Sequence, residues 1–291
     1  MCRWLAYSGT PILLRDALYS PAHSLIDQSL HSRLGAETTN GDGFGLGWYG
    51  DGTDPAIFRS THPAWNDANL RELGGHVTSP LFFAHIRASS GTAVQRTNCH
   101  PFRHGRLLWM HNGLVNDFSA VKRDLVLDID PSLFPYLEGQ TDSEVLFFLA
   151  LTLGLADDPA AAVSGAIGLV EAAGRRRGVA NPFQGTIATT DGERIWAFRY
   201  SSEGRTRSLF VTTEVPTLRR MYPHLALFGG LSDGTRLVVS EPLGDLPGAW
   251  QEVPESSCAC VSDTDVAIRP FSPPRTPRRQ RPAYLAGSLP A

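Results

Sequence analysis

Short runs in which apolar and polar residues alternate fill the first part of the chain and predict strands over 2–8, 45–49, 57–60, 81–88 and 107–111. Between them the apolar spacing lengthens to three and four, which predicts helices over 68–77, 118–127, 142–153 and 160–176. The third helix has a marked start. Thr141 stands as N-cap with Glu144 three residues on, a capping box, directly before Val145, Leu146, Phe148 and Leu149. After Asn181 alternation returns, broken by turn residues, and predicts strands over 185–190, 194–200, 209–213, 236–240, 250–253 and 266–270, read as an antiparallel meander. About eleven strands with four helices grouped in the middle lack the regular alternation of a parallel sheet. They predict an α+β fold of two stacked, mostly antiparallel sheets covered by helices.

No stretch inside the chain reads as a long linker, so one domain is expected over 1–271. From 272 to 291 the chain is rich in Pro and carries Arg275, Arg278, Arg279 and Arg281 without an acid, which predicts a disordered, solubilising tail. Hydrophobic residues make up 42% of the 291 and charged residues 19%, which excludes disorder of the whole. Twenty-six Lys and Arg against 29 Asp and Glu leave net −3, with no footprint for nucleic acid or an anionic membrane. A small molecule or a protein is the expected partner. The longest apolar run, 146–156, is too short for a spanning helix, which needs about 18 residues. The N-terminus has Arg3 before any apolar stretch and no signal-peptide pattern, and the four cysteines read as reduced thiols, so a cytoplasmic location is expected.

Cys2 directly follows the initiator Met. Removal of Met1 would expose its amine, which titrates near 7.7–8.0 and can serve as base for the thiol of the same residue. A small buried Cys on the first strand is the other reading. In His111-Asn112-Gly113, an Asn amide beside an unobstructed Gly N–H could supply two donors to an oxyanion, although Asn-Gly is also a favoured hairpin turn. Alternation places Phe83, His85 and Arg87 on one strand face. At the strand end Arg87, followed by Ser89, Ser90 and Gly91, suits a bidentate grip on a carboxylate or, equally, a structural salt bridge. Asp142, at the first helical position, complements the helix dipole or receives an ammonium. A nucleophile, an oxyanion hole, a carboxylate clamp and an amine clamp together fit an α-amino acid attacked at its side-chain carbonyl.

Competing motifs are weaker. Gly45, Gly47 and Gly50 have dinucleotide-fingerprint spacing, but Asp51-Gly52-Thr53-Asp54-Pro55 follows where a helix is required. Cys99-His100 would point to opposite faces of a strand. Cys258 and Cys260 lack the spacing and His partners of a zinc site, so core packing is expected and neither metal nor cofactor.

In chain order, MCRWLAYSG at 1–9, NGDGFGLGWY at 40–49, AHIRASS at 84–90, NCHPF at 98–102, HNG at 111–113, QTDSE at 140–144 and VVSEPL at 238–243, with Trp250 and Val253-Pro254 beyond, resemble the class II glutamine amidotransferase domain over about 1–270. The resemblance implies the N-terminal-nucleophile fold, a four-layer αββα sandwich. It implies Cys2 as nucleophile, Asn112 with Gly113 as oxyanion hole, and Arg87 and Asp142 as binders of the substrate α-carboxylate and α-amine, with Ser89, Ser90 and His111 as further substrate contacts. Members fused to synthases often carry Thr-His after the arginine motif, where Ser90-Gly91 stands here. Nothing after residue 270 could form a synthase domain, so the chain resembles the stand-alone branch. Its members hydrolyse γ-glutamyl compounds such as glutathione-type peptides or the γ-glutamyl sulfoxide intermediate of ergothioneine synthesis. The SLIDQS and NGDGFGLGWY stretches look closer to the glutathione-degrading members. A free-standing γ-glutamyl hydrolase is the favoured reading. The alternatives are a glutaminase subunit working with a synthase or peptidase partner, and a non-catalytic interaction domain.

Overall fold

A computed structural model describes residues 2–34, 39–89 and 91–274. Among these, β1 (Arg3–Leu13), α1 (Leu14–Leu18) and α2 (Leu25–His31) are followed by β2 (Phe44–Trp48), β3 (Ala56–Ser60), α3 (Ala68–His76) and β4 (Thr78–Ile86). Next come β5 (Phe102–His104), β6 (Leu107–Val115), α4 (Phe118–Val126), α5 (Asp142–Thr152) and α6 (Pro159–Arg176). The last part holds β7 (Phe183–Thr190), β8 (Ile195–Ser201), β9 (Phe210–Thr212), α7 (Val215–Met221), β10 (Arg236–Val239), β11 (Trp250–Glu252), β12 (Ser257–Val261) and β13 (Val266–Pro270). Strands order as β11-β9-β10-β1-β4-β2-β3 in one sheet and β13-β12-β8-β7-β6-β5 in the other, and the pairings are antiparallel.

Alternation explains the layers. Trp4 and Ala6 of β1 face the second sheet in a core with Phe83, Leu108, Met110 and Ala188, while Leu5 and Tyr7 on the opposite face pack with Leu14, Leu18 and Leu70 of the first helical layer. The second sheet turns Trp109, Phe183 and Ile187 toward Val121, Phe147 and Ile167 of α4, α5 and α6. Helices thus cover both outer faces, and the expected αββα sandwich is the architecture observed. No described helix is long and apolar enough to cross a membrane.

Several local expectations need correction. The second half is not one meander: β7, β8, β12 and β13 build the second sheet, while β9, β10 and β11 cross to the first. Alternation reports which face of a strand is buried and not which sheet the strand joins. β5, β12, α1, α2 and α7 add to the expected elements, and all are seven residues or shorter, too brief for a periodic signal. The capping box is half made. Thr141 Oγ1 accepts the Glu144 N–H at 3.1 Å, but the Glu144 carboxylate accepts instead from the N–H groups of Glu138 and Gly139 at 2.9 and 2.7 Å. It ties down the loop ahead of the helix. On β12, Cys258 packs into the helix-covered core as expected. The tail from 275 to 291 lies outside the described residues.

Candidate active site

Cys2 stands just before β1, and the register pairing Arg3 with Ile86 puts it beside the chain leaving β4. Its Sγ lies 3.5 Å from both the N and the O of Ala88. Burial pushes the thiol above its ordinary value, whereas the Ala88 backbone and the charges of Arg87 and Arg207 favour the thiolate. The thiol therefore requires a base before it can act as a nucleophile.

Arg87 is buried, yet no carboxylate among the described residues pairs with it, which removes the structural salt bridge. Its guanidinium donates to Asp42 O at 3.3 Å, Ser89 Oγ at 3.2 Å and Thr92 Oγ1 at 2.7 Å. Asp42, from the NGDG motif, also accepts the Ser89 N–H at 2.7 Å, so that motif shapes the loop around Arg87. Ser89 lines the cavity; Ser90 lies outside the described residues.

The His-Asn-Gly triplet is not a hairpin turn. β6 continues through it to Val115, with Asn112 opposite Thr186 and Gly113 opposite Gly185. β5 covers the other edge of β6 only at Leu107, Leu108 and Trp109, which leaves the later residues' edge open. Val115 N–H uses that edge to donate to Asp142 Oδ2 at 2.7 Å. With a two-residue period, Gly113 N–H faces the same way. Asn112 is buried on the inter-sheet face, and its Nδ2 has no hydrogen-bond partner among the described residues. A side chain at 113 is impossible without movement, since a Cβ would lie 2.1 Å from Gln184 O and 2.6 Å from His111 Nε2. His111 itself points to the helical layer, stacked on Phe183 and bonded through Nδ1 to Ser143 Oγ at 2.8 Å. Burial holds it down at about 4 and so neutral.

Asp142 opens α5 with both oxygens engaged, Oδ1 accepting the Ser143 N–H at 2.8 Å and Oδ2 the Val115 N–H. These bonds fix a carboxylate at the cavity wall, ready to receive an ammonium on its remaining lone pairs. Cys2, Arg87, Ser89, His111, Asn112, Gly113 and Asp142 all line one cavity of about 400 Å³. The structure thus brings together every described residue that the sequence assigned to the site.

Other contributors were not assigned to the site from the sequence. His100 lines the same cavity, its ring 4.2 Å from that of His85, and both of its ring nitrogens lack partners among the described residues. Glycine explains its placement, because a Cβ on Gly45 would sit 2.2 Å from His100 O. Gly45 and Gly47, whose spacing only mimics a phosphate fingerprint, thus admit the NCHPF segment. Asn98 of that segment accepts the Gln140 N–H at 2.9 Å and steadies the loop leading to Asp142. Behind the nucleophile, Arg3 donates to Cys2 O and to Glu241 Oε2, both at 2.9 Å, and His23 Nε2 meets Glu241 Oε1 at 2.5 Å. Arg207, from the β8–β9 connection, completes the cavity wall. Glu241 lay in a quoted motif and could have been suspected; nothing in sequence spacing points to Arg207.

The family model for class II glutamine amidotransferases matches residues 16–224. The chain belongs to that family. It is 33% identical to the Saccharomyces cerevisiae protein named probable glutamine amidotransferase DUG3, over 93% of this chain and 84% of the relative. It is 26% identical to the γ-glutamyl-hercynylcysteine sulfoxide hydrolase of Mycolicibacterium smegmatis, over 93% of this chain and the whole relative. Among solved structures, the glutamine aminotransferase class-II domain protein of Silicibacter pomeroyi aligns with TM-score 0.69 and 32% identity, over 94% of this chain and all of the other. The Bacillus subtilis phosphoribosylpyrophosphate amidotransferase shares the fold, with TM-score 0.62 and 16% identity over 93% of this chain and 49% of its own. This class II amidotransferase chain is accordingly an amidohydrolase of the N-terminal-nucleophile fold.

Proposed function

We propose that the chain is a free-standing hydrolase that cleaves a γ-glutamyl amide through Cys2 and releases glutamate, with residues 1–271 as its catalytic domain. The observation that carries this reading is the buried Asn112 Nδ2, without a partner among the described residues, in the cavity that also holds the Cys2 thiol. A buried donor without a partner costs about 1–3 kcal/mol, a cost that is relieved when a reacting group supplies the acceptor.

In the proposed reaction Met1 has been removed. The Cys2 amine takes the thiol proton, and the thiolate attacks the γ-carbonyl carbon. The carbonyl oxygen becomes an oxyanion accepted by Asn112 Nδ2–H and Gly113 N–H. Arg87 holds the α-carboxylate and Asp142 the α-amine. As the C–N bond breaks, the Cys2 ammonium gives its proton to the leaving amine. Water then adds to the thioester, the C–S bond breaks, and glutamate leaves. A reduced thiol nucleophile suits a cytoplasmic setting. The names of the two relatives, a probable glutamine amidotransferase and a γ-glutamyl-hercynylcysteine sulfoxide hydrolase, support this substrate class.

The test is glutamate release from glutamine and a panel of γ-glutamyl peptides and thiols by purified protein shown by mass spectrometry to lack Met1. Rapid hydrolysis of a γ-glutamyl conjugate, with glutamine poor, is expected. Turnover of glutamine alone, rising on addition of a synthase subunit, would replace this reading with ammonia delivery.

A further inference from the structure

Every polar part of the glutamyl half has a holder in the proposed reaction, but the water of the second step has none. Arg87 and Asp142 hold the α-carboxylate and α-amine, Asn112 and Gly113 the oxyanion, and the Cys2 amine the travelling proton. Among the buried side-chain atoms lining the cavity, Asn112 Nδ2, His111 Nε2 and both ring nitrogens of His100 have no hydrogen-bond partner among the described residues. Of these three residues, Asn112 offers at Nδ2 a donor and no acceptor. His111 Nε2 is turned against backbone, since Cβ atoms placed on Gly113 and Gly185 would lie 2.6 and 2.4 Å from it. His100 remains. It is 4% exposed, and a neutral imidazole presents one donor and one acceptor.

Packing, not hydrogen bonding, fixes the ring. It lies between His85 and Phe102, with centroids 4.2 and 4.5 Å away, and His85 Nε2 in turn reaches His111 O on the second sheet at 3.4 Å. The backbone that carries it is pinned on both sides. Asn98 Nδ2 donates to Ala93 O at 2.9 Å, Cys99 Sγ donates to Ser60 O at 3.4 Å, and a Cβ on Gly47 would lie 2.8 Å from Pro101 Cγ. Burial first, and then His85, His111, Arg87 and Arg59, oppose a positive charge on His100. It is thus held as a neutral acceptor at the cavity wall and is a poor base. Proton transfer stays with the Cys2 amine, and what an acceptor of this kind can supply is orientation.

We propose that His100 is a catalytic residue of the second step, whose unprotonated ring nitrogen accepts a hydrogen bond from the attacking water and turns the water's lone pair to the thioester carbon. This rests on the γ-glutamyl hydrolase reading above. The water oxygen bonds to that carbon and its other proton passes to the Cys2 amine. The C–S bond then breaks, the amine returns that proton to the sulfur, and the new glutamate carboxyl loses the water's remaining proton to solvent.

The test uses protein shown to lack Met1, the compound of the glutamine and γ-glutamyl panel that the wild type cleaves fastest, and added hydroxylamine. Hydroxylamine attacks the same thioester and yields the γ-glutamyl hydroxamate. The ratio of hydroxamate to glutamate reports only how the thioester divides between the two nucleophiles, whichever step limits turnover. His100→Phe should raise that ratio about tenfold or more, while release of the leaving amine at saturating hydroxylamine stays within about threefold of wild type. His100→Gln, whose amide restores an acceptor, should bring the ratio part of the way back. An unchanged ratio in His100→Phe overturns the assignment. So does a fall in leaving-amine release as large as the rise in the ratio, which would place His100 in the first step or in the fold. If His100→Phe does not fold, as read by circular dichroism, His100→Leu is judged by the same ratio. A wild type that forms neither glutamate nor hydroxamate from any panel compound would instead overturn the hydrolase reading itself.

Discussion

Behind Cys2, the buried Glu241 carboxylate is saturated: Oε2 accepts from Arg3 Nε, Ser32 Oγ and Leu34 N, and Oε1 meets His23 Nε2 and the Arg33 N–H. In front of Cys2, lining its cavity, Asn112 Nδ2, His111 Nε2 and both nitrogens of His100 are buried with no partner among the described residues. The two clusters flank the same residue and have opposite logic. A saturated network holds geometry, because every displacement breaks a bond to a charged group. A row of unmet polar groups is unfavourable in the resting protein and becomes favourable only when something polar enters. The contrast separates the part of the site that places the nucleophile from the part that receives the substrate.

The sharpest break comes at the residue between them. Cys2→Ala should abolish glutamate release while leaving the thermal melt close to wild type, since among the described residues the thiol hydrogen-bonds only the Ala88 backbone. Measurable turnover in that variant would end the nucleophile assignment. Asn112→Ala comes next. Loss of one oxyanion donor lowers kcat on the order of 10²–10³-fold. Because that donor has no partner to lose among the described residues, stability should hold or rise slightly. An unchanged kcat, or a large drop in melting temperature, would move Asn112 from the receiving cluster to the holding one. Glu241→Gln probes the holding side: it keeps the side chain's shape but removes the charge facing Arg3, and should cost about 2–3 kcal/mol in denaturant unfolding. A variant as stable as wild type would show that the network does not fix the chain at Arg3.

Most of the side chains singled out around the cavity were legible in the sequence, and the holding cluster was not. Cys2, Asn112, Gly113, Arg87 and Asp142 each carry their chemistry in a residue type, and their sequence contexts place them at strand ends and a helix start. Arg3, His23 and Glu241 act through a meeting of the first strand, the segment before α2 and the end of β10, 238 residues apart for Arg3 and Glu241. No periodicity records such a meeting. The same limit explains the fold: alternation exposed the strands and their buried faces, yet the departure of β9, β10 and β11 to the first sheet depends on long-range pairing. The Asn-Gly step was ambiguous for a related reason. Its turn propensity is local, and the pairing of Gly113 with Gly185 overrides it.

The mildest prediction separates the two clusters by pH. Burial holds His85 at about 3 and His111 at about 4 and lowers His100 well below its ordinary value, all from 6.5. These imidazoles stay neutral in the folded protein and take up protons on unfolding below pH 6.5. Their contribution is therefore whole above about pH 6.5 and drains away as pH falls toward the folded values, on the order of 1 kcal/mol per imidazole per pH unit. Glu241 behaves otherwise. Burial alone would raise its carboxyl, but His23, the Arg33 and Leu34 N–H groups and Arg3 outweigh that and lower it below 4.5. Its contribution is present above about 4.5 and is lost only below it. Denaturant midpoints taken from pH 7.5 to 5 should accordingly fall chiefly through these three histidines, and His100→Phe, which forfeits no hydrogen bond among the described residues, should flatten that fall by about a third. An equally steep fall in His100→Phe would mean that His100 is already charged in the folded protein. It would then be a cation beside the nucleophile, and the neutral, waiting character assigned to the receiving cluster would be wrong.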